Sequence, residues 1–268
     1  MPRALTIAGS DSSGGAGIQA DLRTFEALGV RGATAITAIT AQNAQGVSAI
    51  APLSADLVTA QIEAVAADAE IEATKIGMLG TAAIAEAVAA AIEDLELPLV
   101  VLDPVLASTS GTRLLDADGV QTLVTELLPR VLVVTPNLPE AEALSGIRID
   151  SMARARDAAR RLHEMGAENV IVKGGHSLRS ATGGAQDDAG ETPDVLDLLF
   201  DGKAFHELRV AWVPGGQMRG TGCSYSSAVA AFLALGRALP DAAAQAQRHV
   251  AGLIAKEQAG RGRRGTVY

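Results

Sequence analysis

The sequence predicts an α/β protein with a mostly parallel central sheet and helices on both faces. Three observations carry this expectation. Short β-branched apolar runs alternate with longer alanine-rich helical runs along the chain. The strand interiors are continuously apolar, as in sheets buried on both sides. The 268 residues show no linker and no internal repeat, so a single domain over 1–268 is expected.

The elements follow in order. RALTIAGS (3–10) reads as a buried strand. GIQADLRTFEALG (17–29) places Ile18, Leu22, Phe25 and Leu28 on one helical face, and Gly29 can end the helix. ATAITAIT (33–40) is β-branched and strand-like. Helices are expected at 54–68 and 81–94, with the strand ATKIGML (73–79) between them. The strands PLVVLDPV (98–105), RVLVVTPN (130–137) and NVIVKGG (169–175) come next, separated by helices at 117–128, 139–145 and 151–165. HSLRSATGGAQDDAGETPD (176–194) is too polar to bury a core and reads as a mobile or disordered surface loop. The sheet resumes at 195–213, and a long helix follows RGTGC. The tail GRGRRGTVY (260–268) reads as a solvated end, with nucleotide contact as the lesser alternative.

Composition narrows the function. Aromatic residues are 3% of a chain that is 48% hydrophobic, so Ala, Val, Leu and Ile must build the core. The net charge of −9 argues against non-specific nucleic-acid binding but leaves a local site for a small anion open. A single cysteine excludes an internal disulfide and suits a reducing compartment, so a cytoplasmic protein is expected. Asp11 interrupts the N-terminal run before any signal-like apolar stretch. No stretch of roughly twenty apolar residues suggests a membrane span.

In open α/β sheets, ligands sit beyond the carboxyl ends of the strands. Glycine and polar residues cluster there: SDSSGGAG (10–17), AQNAQG (41–46), MLG (78–80), Asp103-Pro104, PNLPEAEAL (136–144), GGH (174–176) and RGTGC (219–223). One such cluster would mean a turn; so many in register suggest one rim built for a ligand. SDSSGGAGIQAD (10–21) matches neither common phosphate-loop pattern, and it reads as a plain turn or as a phosphate cradle. Asp21 is then either a solvated carboxylate or a pocket residue. RGTGCS offers free N–H groups at a helix start, an anion site that would stabilise a phosphoryl group in transfer. A helix start also lowers a thiol pKa, so Cys223 reads as a base for a substrate alcohol or as a small buried thiol at an ordinary capped helix start. Asp103 and Glu140 are strand-end carboxylates suited to magnesium, or else turn and cap residues. Lys173 could pair with phosphates or sit on the surface. His163, His206 and His249 form no cluster, and Arg154, Arg156, Arg160 and Arg161 read as a solvated helix face.

Taken together, ALTIAGSDSSGGAGIQADLRTFEALG, AITAQNAQGV, TKIGML, VLDPV, TPNLPEAEAL, VKGGH and GTGCSYSSAVAA, in this order, resemble the hydroxymethylpyrimidine/phosphomethylpyrimidine kinases of thiamine biosynthesis, in the ribokinase-like superfamily. The resemblance runs from Ala4 to about Leu235. It implies a three-layer α/β/α sandwich, a homodimer, and transfer of the γ-phosphoryl group of ATP, with Mg²⁺, to 4-amino-5-hydroxymethyl-2-methylpyrimidine and then to its monophosphate. It implies that Gln42 binds the aminopyrimidine and that Gly9, Asp21 and Met78 line its pocket. Gly220, Thr221, Gly222 and Cys223 would form the catalytic turn. Asp103 and Glu140 would serve the metal, and Lys173, Asn137 and Arg219 the nucleotide. Arg219 stands where the family often has histidine, and Ser110-Gly111-Thr112 replaces its Ser-Gly-Asp flap. Two other outcomes are a pyridoxal kinase on the same fold, whose members use a second cysteine that this chain lacks, and a ligand-binding relative without transfer.

Overall fold

The computed structural model describes residues 1–108, 110–174, 194–214 and 218–264. Nine strands form one sheet: β1 (Arg3–Asp11), β2 (Arg31–Asn43), β3 (Gly46–Pro52), β4 (Ala73–Ile76), β5 (Val100–Leu102), β6 (Val133–Val134), β7 (Asn169–Lys173), β8 (Asp194–Phe200) and β9 (Phe205–Ala211). Their order across the sheet is β3-β2-β1-β4-β5-β6-β7-β8-β9. The six strands from β2 to β7 run parallel, while β3 at one edge and β8 and β9 at the other are antiparallel.

The helices cover both faces, giving the three expected layers. One face carries α2 (Ala55–Asp68), α3 (Ala82–Asp94), α4 (Ala117–Thr122, extended by tighter and wider turns to Arg130), α5 (Leu138–Ser145) and α6 (Met152–Glu164). The other carries α1 (Gly17–Ala27), α7 (Thr221–Ala234) and α8 (Leu239–Arg264). Strand alternation sorts the core between them. Leu5 and Ile7 face the α2–α6 layer, whereas Ala4 faces the α1/α7/α8 layer. The faces also differ in side-chain size. Leucine, isoleucine and valine dominate the first, and alanines of α7 and α8 let those helices lie close on the second. No helix among the described residues is long and apolar enough to cross a membrane.

Several expected boundaries change. β2 runs past residue 40 to Asn43, because its end pairs with β3 in a hairpin to which the sequence pattern assigns no strand. The strands expected at 98–105 and 130–137 shorten to Val100–Leu102 and Val133–Val134, since their flanks turn away to build the site. The segment expected to resume the sheet at 195–213 is a hairpin, β8–β9. The segment that followed RGTGC is two helices, and the second continues through residue 264 of the tail. The polar 176–194 segment lies outside the described residues up to 193, as do tail residues 265–268.

Candidate active site

The same alternation that sorts the core aims the polar residues. Ala73, Val101, Ile171 and Leu199 point into the α1/α7/α8 layer. Lys75, Asp103, Lys173 and Asp197 lie two residues from them on β4, the end of β5, β7 and β8, so they face the same way. All four line one cavity against the start of α7. Its volume of about 1450 Å³ exceeds the usual range for one small ligand and suits two substrates side by side.

The 219–223 turn lies where two glycine-led helix starts meet. Neither α1 nor α7 has a side-chain cap, so their first N–H groups are not taken by a capping side chain. Gly220 adopts φ +72°, and a Cβ there would come 2.2 Å from the Gly15 carbonyl. Gly17 adopts φ +58°, and its Cβ would come 2.3 Å from the Gly9 carbonyl. Only glycine permits both close approaches: the first seats the 219–223 turn against the 11–17 loop, and the second seats the start of α1 against β1. Cys223 is partly open to the cavity, and the Gly17 backbone amide favours its thiolate form. The helix start was expected to lower the thiol pKa. Burial outweighs it and pushes the thiol up to about 11, with Lys75 opposing that rise and Asp21 and Asp103 adding to it. In the ligand-free protein, Cys223 is therefore a protonated thiol at neutral pH.

Asp21 is the one expected pocket residue that does not line the cavity. It lies fully buried in α1 beneath the floor, so neither the solvated reading nor direct lining holds. Thr6 and Ser227 donate to its two oxygens at 2.6 and 2.7 Å, and Lys75 pairs with it at 2.9 Å. Ser227 sits one helical turn after Cys223, so this network ties β1, β4 and α1 to the catalytic helix. Lys75 is missed by the sequence reading, which took ATKIGML as one apolar strand. Its signal is a lysine at an inward position of that strand. The carboxylates of Asp21 and Asp103 keep its ammonium protonated despite burial.

One end of the cavity is ionic. Lys173 Nζ donates to Asp103 Oδ1 at 2.8 Å, and both side chains are largely buried, which sets aside the surface-lysine alternative. A Cβ on Gly222 would lie 3.4 Å from Lys173 Nζ and 3.7 Å from Asp103 Oδ2, so the turn passes directly over the pair. Asn137 and Glu140 form a reciprocal capping box at the start of α5 and also line the cavity. Burial raises the Glu140 carboxyl to about 7, Asp103 adds to the rise, and Lys173 opposes it. Among the described residues, no group of three or more His, Cys, Asp or Glu is placed to hold a metal alone. This donor set suits magnesium shared with phosphate oxygens, since that ion commonly takes one or two carboxylates and keeps its waters.

Gly9, Gln42 and Met78 line another part of the cavity. Met78 packs with Ala38 and Leu114, and a Cβ on Gly9 would lie 3.0 Å from the Met78 sulfur. Gln42 is fixed through its backbone, whose N–H donates to Ser12 Oγ at 2.9 Å. Its side-chain oxygen lies 3.1 Å from Thr40 Oγ1, leaving an amide edge for a ligand. Arg219, expected on the nucleotide, turns its guanidinium to Ser13 Oγ at 3.1 Å and Asp11 Oδ2 at 3.4 Å. Val195, Val210, Trp212, Val250 and Ile254 also line the cavity, which the sequence does not foretell, because it reads β8 and β9 as one segment and α7 and α8 as one helix.

A family model described as phosphomethylpyrimidine kinase matches residues 11–267. The hydroxymethylpyrimidine/phosphomethylpyrimidine kinase of Haemophilus influenzae is 46% identical over 95% of this chain and 91% of its own. The thiamine biosynthesis bifunctional protein of Geobacter sulfurreducens is 44% identical over 93% of this chain, which spans 48% of that longer protein. Among solved structures, phosphomethylpyrimidine kinase from Clostridium difficile aligns with a TM-score of 0.79 and 36% identity, covering 95% of this chain and 100% of that one. Pyridoxal kinase from Staphylococcus aureus, in complex with AMP-PCP and pyridoxal, aligns with a TM-score of 0.81 and 35% identity, covering 95% and 88%.

Proposed function

The chain belongs to the phosphomethylpyrimidine kinase family, and we propose that it transfers the γ-phosphoryl group of ATP to 4-amino-5-hydroxymethyl-2-methylpyrimidine, and then to its monophosphate, in thiamine biosynthesis. One observation carries this reading. A single cavity joins the Gln42–Met78 end to the Lys173–Asp103 end, and the Gly220–Cys223 turn touches both sides. Gly222 lies over the ionic pair, while Gly220 rests on the loop whose Ser12 holds Gln42.

The Gln42 amide pairs with the aminopyrimidine edge, and Met78 packs against the ring. Lys173, Asn137, Asp103 and Glu140 hold the polyphosphate and Mg²⁺, and the Val195–Trp212 arm seats the base. When bound, Mg²⁺ and ATP supply the phosphoryl group with its charge partly neutralised. The amides opening α7 receive the charge that develops on the transferring group. The substrate hydroxyl loses its proton to Cys223, which must first be deprotonated. The Gly17 amide and Lys75 favour that deprotonation. The same reading makes the enzyme a cytoplasmic homodimer, as its lone free thiol and the family resemblance suggest.

Pyridoxal is the competing acceptor, because pyridoxal kinases share this fold at similar TM-scores. Purified protein with Mg-ATP and each alcohol separates the two. We expect kcat/KM for the aminopyrimidine to exceed that for pyridoxal by tenfold or more, on the order of what an unpaired buried polar group costs the wrong ligand. A preference for pyridoxal would overturn the assignment.

A further inference from the structure

Arg219 lies beside the catalytic turn, yet its guanidinium is spent within the protein. It donates to Ser13 Oγ at 3.1 Å and faces Asp11 Oδ2 at 3.4 Å. Asp11 is buried, and it also organises its own loop. Its Oδ1 accepts from the amide and hydroxyl of Ser13 at 2.9 and 2.8 Å, and its Oδ2 accepts from the Ala16 amide at 2.9 Å. The guanidinium carbon lies 3.5 Å from where a Gly15 Cβ would be, so the group spreads over the loop. On the next residue, Gly220 abuts the Gly15 carbonyl. Two segments separated by about 200 residues are thus joined by one charged fork and one glycine contact.

We propose that Arg219 is a positioning residue: paired with Asp11 and Ser13, it latches the 219–223 turn onto the 11–17 loop and so sets the geometry of the site where the phosphoryl group is transferred. The chemistry suits arginine. Its planar fork reaches a carboxylate and a hydroxyl together, which a lysine point charge does not do. What the latch aligns is the glycine-led start of α1, seated against Gly220, with the uncapped amides of α7. A misplacement of about an ångström at such a site costs on the order of a hundredfold in rate.

The kinetic part of the test rests on the kinase reading above, but the other part does not. Cys223 is the only cysteine, so its alkylation by iodoacetamide reports on the turn without any turnover. In R219A we expect kcat to fall roughly ten- to a hundredfold, with KM for Mg-ATP nearly unchanged. Alkylation should rise roughly tenfold or more, about what one lost charge-assisted hydrogen bond gives. R219K should recover part of both. D11N should act through the same contact, so R219A/D11N should be no worse than the more severe single variant. S13A replaces D11N in this cycle if D11N does not fold. A rise in KM for Mg-ATP with kcat and alkylation unchanged would make Arg219 a nucleotide contact and overturn the latch, as would effects that simply multiply in the double variant. If the wild-type protein transfers no phosphoryl group, the kinase reading fails, and the alkylation cycle still decides for or against the latch.

Discussion

Cys223 meets opposing influences: burial holds its proton on, while Lys75 and the Gly17 amide draw the thiolate out. Lys75 matters to this balance and to folding. With Asp21 it forms an ion pair whose side chains are both 0% exposed. Removing one partner leaves an uncompensated buried charge, which costs about 3–5 kcal/mol, whereas replacing both is far milder. K75M should therefore lose about that much stability in urea unfolding at pH 7, and K75M/D21N should recover most of it. Equal losses in the two variants would mean that packing, not charge, is at stake. Gln42 and Cys223 each sit in a local motif that pointed to a ligand site, and both line the cavity. The Lys75–Asp21 pair could not, because it joins residues 54 positions apart and its lysine hides in an apolar strand. The thiol's pKa was misjudged for a similar reason: the helix start is local, but the burial that overrides it is tertiary.

Among the elements, α5 shows how one helix start serves structure and site together. Its capping box uses Asn137 and Glu140, and the same Glu140 lines the ionic end of the cavity. Burial lifts its carboxyl from 4.5 to about 7. A carboxyl raised on folding contributes stability that is full below its unfolded value and is lost as pH rises through about 7. Glutamine keeps the capping geometry without the charge. In metal-free buffer, E140Q should match wild type near pH 5 and exceed it by about 1–3 kcal/mol at pH 8, read from melting curves. A constant difference across pH would deny the burial cost. The alternation of β- and α-rich runs was legible, as was the helix over 17–27. The β2–β3 hairpin and the ends of β5 and β6 were not, because pairing partners, not propensity, decide where those strands stop.

At the scale of the whole molecule, a parallel sheet delivers Lys75, Asp103 and Lys173 from separate strands to one helix start, and two glycine turns close over them. The order of strand-end motifs made that rim legible, since parallel strands place their carboxyl ends together. The part of the cavity lined by Val210, Trp212, Val250 and Ile254 was not legible, because it forms only where β9 and α8 meet in space. The account's central claim is that the Gly220–Cys223 turn transfers a phosphoryl group from ATP to the pyrimidine alcohol. Phosphate-ester formation from saturating Mg-ATP and 4-amino-5-hydroxymethyl-2-methylpyrimidine, followed by ³¹P NMR for wild type beside C223A, tests it most directly. The expected result is steady ester formation by wild type and a rate lower by roughly two to four orders of magnitude in C223A, the effect of losing a general base. No ester from the wild-type protein, or equal rates from both, would contradict it.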